Sequence, residues 1–188
     1  MKTKKPLNAN DWIEAAFRSL TKKGPEGIRA EAIARDLKVS KGSFYWHFKD
    51  VPALKKAMLN HWKEGATEAI ILLIEGSNST PEEQLKLLVI TATGENNLPY
   101  GGALTETAIR DWGRYDKSAA RTVLSVDKRR LAYLEKLFTE HGAKPKQARI
   151  NATILYGALI GLENLAHNNL ANSQDELLSL LNMQLNAA

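Results

Sequence analysis

The chain has 188 residues, 44% of them hydrophobic, and carries 26 Lys and Arg against 21 Asp and Glu for a net charge of +5. That length allows one ordinary domain and a small second one. The absence of cysteine excludes a disulfide framework, a thiol nucleophile and a Cys-ligated zinc, and suits a reducing cytoplasm.

The start, MKTKKP, carries Lys2, Lys4 and Lys5 and reads either as an arm that reaches a nucleic acid or as a disordered end. Asn8 or Asn10 can cap a first helix in which Trp12, Ile13, Ala16, Phe17 and Leu20 form an apolar stripe ending near Gly24 and Pro25. Residues 28–37, IRAEAIARDL, set Ile28, Ile33, Ala34 and Leu37 at helical spacing, and Lys38, Val39 and Ser40 turn the chain into the next helix. Two short helices across a tight turn predict a helix-turn-helix. In residues 39–50, VSKGSFYWHFKD, the Ser40 hydroxyl is expected to cap a short helix whose first turn, Lys41, Gly42 and Ser43, favours phosphate through free N–H groups and the helix dipole. Phe44 and Phe48, four apart, can bury together. Lys41, Ser43, Tyr45, Trp46, His47 and Lys49 are left for the outer surface, an aromatic and basic mixture that fits a DNA groove. Charge agrees: residues 1–63 hold 14 Lys and Arg against 6 Asp and Glu, so the rest of the chain is net negative.

Asp50 and Pro52 mark the start of a fourth helix, as cap and first-turn residue, with Leu54, Ala57 and Met58 facing inward. By this point the sequence resembles the tetracycline-repressor (TetR) family of one-component transcriptional regulators. The resemblance runs from about Asn10 to Leu59: EAAFRSLTKKG in the first helix, AIARDLKVSKGSFYWHF across the turn and ALKKAML in the fourth. It implies an all-α fold, with a DNA-binding domain over 1–50 and a helical ligand-binding and dimerisation domain over 51–188. One departure stands out. Many relatives carry a phosphate-clamping lysine near the start of the fourth helix, where this chain has Val51; Lys49 or Lys55 substitutes, or the contact is missing.

The fourth helix is expected to run over 52–75, followed by a break at 76–81, a fifth helix over 82–93 and a loop, GENNLPYGG, at 94–102. A sixth, over 103–115, has Leu104, Ala108, Ile109 and Trp112 inside. Asp116 can cap a seventh that runs to His141 with Val123, Val126, Leu131, Leu134, Leu137 and Phe138 apolar; Gly142 and Pro145 separate it from the eighth. A ninth spans roughly 173–185. The longest nearly unbroken apolar run, ATILYGALIGL at 152–162, is too short to cross a bilayer, and the basic start lacks the apolar run of a signal peptide, so a soluble cytoplasmic protein is expected.

In the eighth helix Ala148 and Ala152, then Gly157 and Gly161, set small residues four apart, and the ninth is apolar around much of its girth. Together they suggest an interface between two copies, with Ala152, Gly157, Gly161, Leu177 and Leu181 as candidates; packing within one chain is the alternative. The resemblance implies the same four-helix homodimer. Two recognition helices would read a palindromic operator on double-stranded DNA, in half-sites roughly 34 Å apart or further.

Within each half-site Lys41 and Ser43 are candidates for base edges, while Tyr45, His47 and Lys49 hold phosphates; Arg29, at the entrance to the second helix, is a further phosphate candidate, and Ser40 and Gly42 complete the helix tip. The resemblance supports Tyr45 and His47 in that role and places Trp46 at the DNA backbone or sugar face, with packing against the fourth helix as its alternative. It also implies a small-molecule effector pocket in the body, between the fourth and eighth helices, and repression as the usual mode. His61, Trp62, Asn96, Tyr100, Glu106, Trp112, Tyr156, Glu163 and His167 are candidates for its lining, aromatic with a few polar groups. No cofactor or metal is expected. An enzyme would need a Gly-rich phosphate loop, HExxH or another reactive cluster, whereas His47, His61, His141 and His167 are scattered and His61 with Glu64 is too little for a metal. The remaining rival is a helical binding protein that retains the fold but has lost DNA binding, or one that binds DNA without sequence preference in a non-specific or architectural role; the intact tip at Lys41 to Ser43 argues against loss.

Overall fold

The computed structural model describes residues 7–94 and 104–186, which form nine helices and no strand. The all-α expectation holds. We number them α1 (Ala9–Lys23), α2 (Ala30–Asp36), α3 (Lys41–Phe44), α4 (51–75), α5 (Pro81–Thr93), α6 (Leu104–Trp112), α7 (Lys117–His141), α8 (Pro145–His167) and α9 (Ser173–Asn186). They fall into two compact units. One holds described residues 7–61 and 104–120, the other 62–94 and 121–186, so the chain passes between them within α4 and again within α7.

In the first unit, α1 starts in a capping box. The Asn8 side-chain oxygen accepts from the N–H groups of Asn10 at 2.7 Å and Asp11 at 3.2 Å, and the Asp11 carboxylate accepts from the Asn8 N–H at 2.7 Å. Such a cap is worth about 1 kcal/mol. The stripe Trp12, Ile13, Ala16, Phe17 and Leu20 is buried as its spacing demands. Gly24, at φ +68, ends the helix in a backbone conformation other residues rarely adopt. Gly27 fits for another reason: a Cβ there would lie 2.7 Å from the Lys23 Cβ, and its carbonyl accepts from the Ser19 hydroxyl at 2.7 Å. Helix α1 packs against α2 and α6, and Ile33, Phe44, Leu54, Met58, Ile109 and Trp112 complete this core.

In the second unit α5 packs against α9 and the end of α4, and α8 against α9. Ile71, Ile74, Leu85, Leu137, Phe138, Ala148, Ala152, Leu155, Leu177 and Leu181 share the core. Helix α5 begins in a second capping box, between Thr80 and Glu83. Asp116 caps α7 as expected, its carboxylate accepting from the N–H groups of Ser118 and Ala119 at 2.8 and 2.9 Å.

Helix α4 departs from expectation in one respect. Its α-helical stretches, Val51–Lys63 and Ala69–Glu75, are joined by a π-helical turn, Glu64–Glu68. A π turn adds a residue to the winding, so Trp62 and Thr67, five apart, are both buried. The regular 3.6-residue reading hid this because every residue from Ile70 to Ile74 is Ile or Leu, and such a run is apolar in any register.

Candidate nucleic-acid interface

Helices α2 and α3 meet across a turn in which Lys38 takes φ +57 and the Val39 N–H donates to the Ala34 carbonyl at 2.9 Å. A left-handed residue closing a helix in this way satisfies otherwise unpaired carbonyls and sets the angle of the next helix. Ser40 stands at the N-cap of α3 as expected, but its hydroxyl makes no capping bond. The reason is local. The Ser43 N–H already donates to the Ser40 main-chain carbonyl at 3.0 Å, leaving that donor occupied.

Regular helix ends at Phe44, and Tyr45 and His47 continue in tight turns through N–H bonds to the carbonyls of Gly42 and Phe44. An aromatic cluster fixes this short piece from beneath. Phe44 is wholly buried, edge-on to Trp12 at 5.5 Å between ring centres, and Phe48 lies 5.8 Å from it. Above that cluster the outer face is open. Lys41, Gly42, Tyr45, Trp46 and Lys49 are exposed, and Ser43 and His47 are partly so, with the His47 ring 6.1 Å from Trp12. Trp46 is 87% exposed, which removes packing against α4 as its explanation. Arg29, the residue before α2, is also exposed.

Lys41 has a partner that its spacing did not reveal: an ion pair with Glu31, in the first turn of α2. The hydrogen bond from Lys41 holds the Glu31 carboxyl below its usual range, and the same bond raises the Lys41 ammonium. Of the two lysines that could stand in for the phosphate clamp missing at Val51, Lys55 is engaged within the first unit. Its ammonium lies 5.6 Å from the centre of the Trp112 ring, over a side chain buried in the first unit's core. Lys49 keeps the exposed position.

The effector candidates divide between the units. His61, against Phe17, belongs to the first, with Trp112 and with Glu106, which accepts from Arg110 at 2.7 Å. Trp62, Tyr156, Glu163 and His167 belong to the second, where His167 is exposed. Asn96 and Tyr100 lie outside the described residues, as do Lys2, Lys4 and Lys5. What joins Trp62 to Tyr156 is a residue the sequence reading passed over, Arg130. Its guanidinium lies 5.6 Å from the Trp62 ring centre and 5.8 Å from that of Tyr156. It donates to the Thr67 hydroxyl at 3.0 Å, the Ala66 carbonyl at 3.0 Å and the Tyr156 hydroxyl at 3.3 Å, and Tyr156 in turn donates to Asp127 at 2.7 Å. These side chains form a polar, aromatic cluster on the π turn.

Of the dimer candidates, Ala152, Leu177 and Leu181 are buried in the chain's own core, so within one copy they face inward. Gly157 and Gly161 are exposed, with open space where a Cβ would stand. Among the described residues no three His, Asp or Glu side chains come together to hold a metal ion, and no helix is long and apolar enough to cross a membrane.

Residues 13–58 match the family model for bacterial regulatory proteins of the tetR family. No curated protein matches the sequence. Among solved structures, a TetR-family transcriptional regulator from Rhodococcus sp. superposes with a TM-score of 0.76 at 17% identity, over 94% of this chain and 98% of that one. SmeT, the repressor of the Stenotrophomonas maltophilia multidrug efflux pump SmeDEF, gives 0.70 at 16% over 96% and 90%. The fatty acid degradation regulator FadR from Bacillus halodurans gives 0.70 at 17% over 97% of each chain.

Proposed function

We propose that the chain is a TetR-family DNA-binding transcriptional regulator that acts as a homodimeric repressor released from a palindromic operator by a small-molecule effector; the family match over residues 13–58 and a fold shared along its length with regulators of that family support this reading. The observation that carries DNA reading is the outer face of α3 and the turns after it, residues 41–49, basic and aromatic and fixed from beneath by the buried Phe44 and Phe48. On this reading Lys41 and Ser43 approach base edges. Tyr45, His47, Lys49 and Arg29, with Trp46 and the tip N–H groups at Ser40 and Gly42, hold the backbone and set register. TetR-family regulators are in general DNA-binding proteins rather than enzymes, and we assign no reaction to this chain.

Pairing is supported by α8. Ile150, Ile154, Gly157, Gly161 and Leu165 follow one another at steps of four, three, four and four, and all are exposed. That stripe is apolar where solvent alone would favour polar residues, and its glycines allow close approach of a second helix. The effector would bind in the second unit at the cluster of Trp62, Tyr156 and Arg130, and would act by favouring the conformer that cannot fit the operator. SmeT is itself a repressor, which supports repression as the sign of control here.

The test is a titration of the purified protein against DNA from the flanks of its own gene, with scrambled competitor, at several salt concentrations. Saturable binding that survives competitor and protects a palindromic site is the expected result. Binding that scrambled DNA abolishes, with one steep salt dependence for every sequence, would instead support a non-specific or architectural role.

A further inference from the structure

Glu31 and Lys41 stand on the two helices of the helix-turn-helix, Glu31 in the first turn of α2 and Lys41 at the first residue of α3, and their side chains pair across the turn. Both side chains stay about half exposed, at 56% and 50%. A pair so open to water adds little to stability, so folding alone gives small reason for a carboxylate here. The surrounding surface gives reason against one. Lys41 on α3 and Tyr45 and Lys49 in the turns after it are exposed, with Ser43 partly so, and a negative group on a surface that meets phosphates is repelled by them.

Resting on the reading of α3 as the DNA-contacting helix, we propose that Glu31 is a specificity-determining residue: with Lys41 it forms an acceptor and donor pair that selects a G·C pair in each half-site and disfavours other DNA. In the major groove a carboxylate can be satisfied only by an exocyclic amino group, N4 of cytosine or N6 of adenine, whereas an ammonium donates to O6 and N7 of guanine. A C·G pair presents the amino donor of cytosine beside the acceptors of guanine. Glu31 accepts from the cytosine N4 while Lys41 donates to the guanine, and the two side chains keep their mutual contact. DNA without such a pair desolvates the carboxylate and does not offer it an amino donor beside the guanine acceptors that Lys41 needs. It also meets a Lys41 whose charge is already compensated, so less counterion is released from the duplex.

The test uses the full-length chain, the operator found in the flanking-DNA titration, a panel of its single base-pair substitutions and scrambled DNA, with the variants Glu31→Gln, Lys41→Met and the double substitution. Glu31→Gln is expected to tighten binding to scrambled DNA several-fold with a salt slope steeper by about 1. It should also relax the preference at one G·C position per half-site by roughly 5- to 150-fold, and in the Lys41→Met background it should add little to that relaxation. Melting temperature is followed in parallel. A Glu31→Gln protein that melts lower but keeps every base preference and its scrambled-DNA affinity would show Glu31 to be a purely structural residue and overturn the proposal. If Lys41→Met and Lys49→Ala both leave operator and scrambled-DNA binding unchanged, the assignment of α3 itself fails, a result distinct from the first.

Discussion

The guanidinium of Arg130 donates to the main-chain carbonyl of Ala66 at 3.0 Å, so a side chain of α7 closes the π turn of α4. The same guanidinium donates to Thr67, a polar residue that is 2% exposed, and lies against the ring of Trp62. Arg130→Met keeps much of the length and apolar stem but removes every donor. Leaving buried acceptors without partners costs about 1–3 kcal/mol, and the melting temperature should fall by roughly 3–10 °C. Arg130→Lys should recover little of this, because one ammonium cannot span the hydroxyl, the carbonyl and two rings as a planar fork does. Thermal unfolding by circular dichroism distinguishes these outcomes.

Lys49→Ala should weaken binding to operator and scrambled DNA alike and flatten the dependence of log K on log salt by about 1. Lys55→Ala is the matched control. Its ammonium lies over Trp112, so it should lower stability by about 0.5–1 kcal/mol while leaving the salt slope intact. A flattened slope for Lys55→Ala, with none for Lys49→Ala, would reverse the two assignments.

Gly157→Leu tests the outward stripe of α8. A side chain at Gly157 meets nothing within 4 Å in its own protomer, so the variant should fold normally apart from the ordinary effects of replacing glycine in a helix. In a dimer closed over that stripe the added bulk would hold the helices apart. Sedimentation should therefore show a monomer, with operator affinity reduced at least tenfold. Ala152→Leu is expected to behave differently, overpacking a core site at a cost of about 1–3 kcal/mol whatever the oligomeric state.

Gly27→Ala should be destabilising by about 1–3 kcal/mol, since the added carbon would lie 2.7 Å from the Lys23 Cβ and 2.9 Å from the Ser19 hydroxyl. Ser19→Ala, which removes only the 2.7 Å bond to the Gly27 carbonyl, should cost less, about 1 kcal/mol. Urea unfolding of the two variants checks the order.

The parts of this molecule that were legible in the sequence are those governed by neighbours in the chain. Asp50 and Asp116 cap the helices that their positions announce, and of the two candidates Asn8 and Asn10 it is Asn8 that caps α1; the four-residue step from Phe44 to Phe48 predicts their contact. Ser40 misled because a cap residue type does not reveal whether the donor it would serve is already taken. Glu31 and Arg130 were missed because their partners come from other helices. Thr67 lies 63 positions from Arg130 and Tyr156 lies 26 away, and nothing in local spacing announces either. One signal was available: a threonine five residues beyond Trp62, just before the apolar run Ala69 to Ile74, where a regular winding would bury Ala66. Likewise Ala152 and Gly157 look alike as small residues, and only the surrounding helices decide that one faces the core and the other the solvent.

The five-residue step from Trp62 to Thr67 also bears on how this chain can be aligned with its relatives. A π turn is equivalent to one inserted residue in an α-helix, absorbed without a loop. A regulator that has straight α-helix at this place therefore matches the present chain in one frame before Glu64 and in a frame displaced by one residue after Glu68. An ungapped alignment through α4 would set Ala66 where Thr67 belongs and Leu73 where Ile74 belongs, pairing a partner's core position with a leucine that here is 55% exposed. The single-residue gap that corrects it belongs inside the helix.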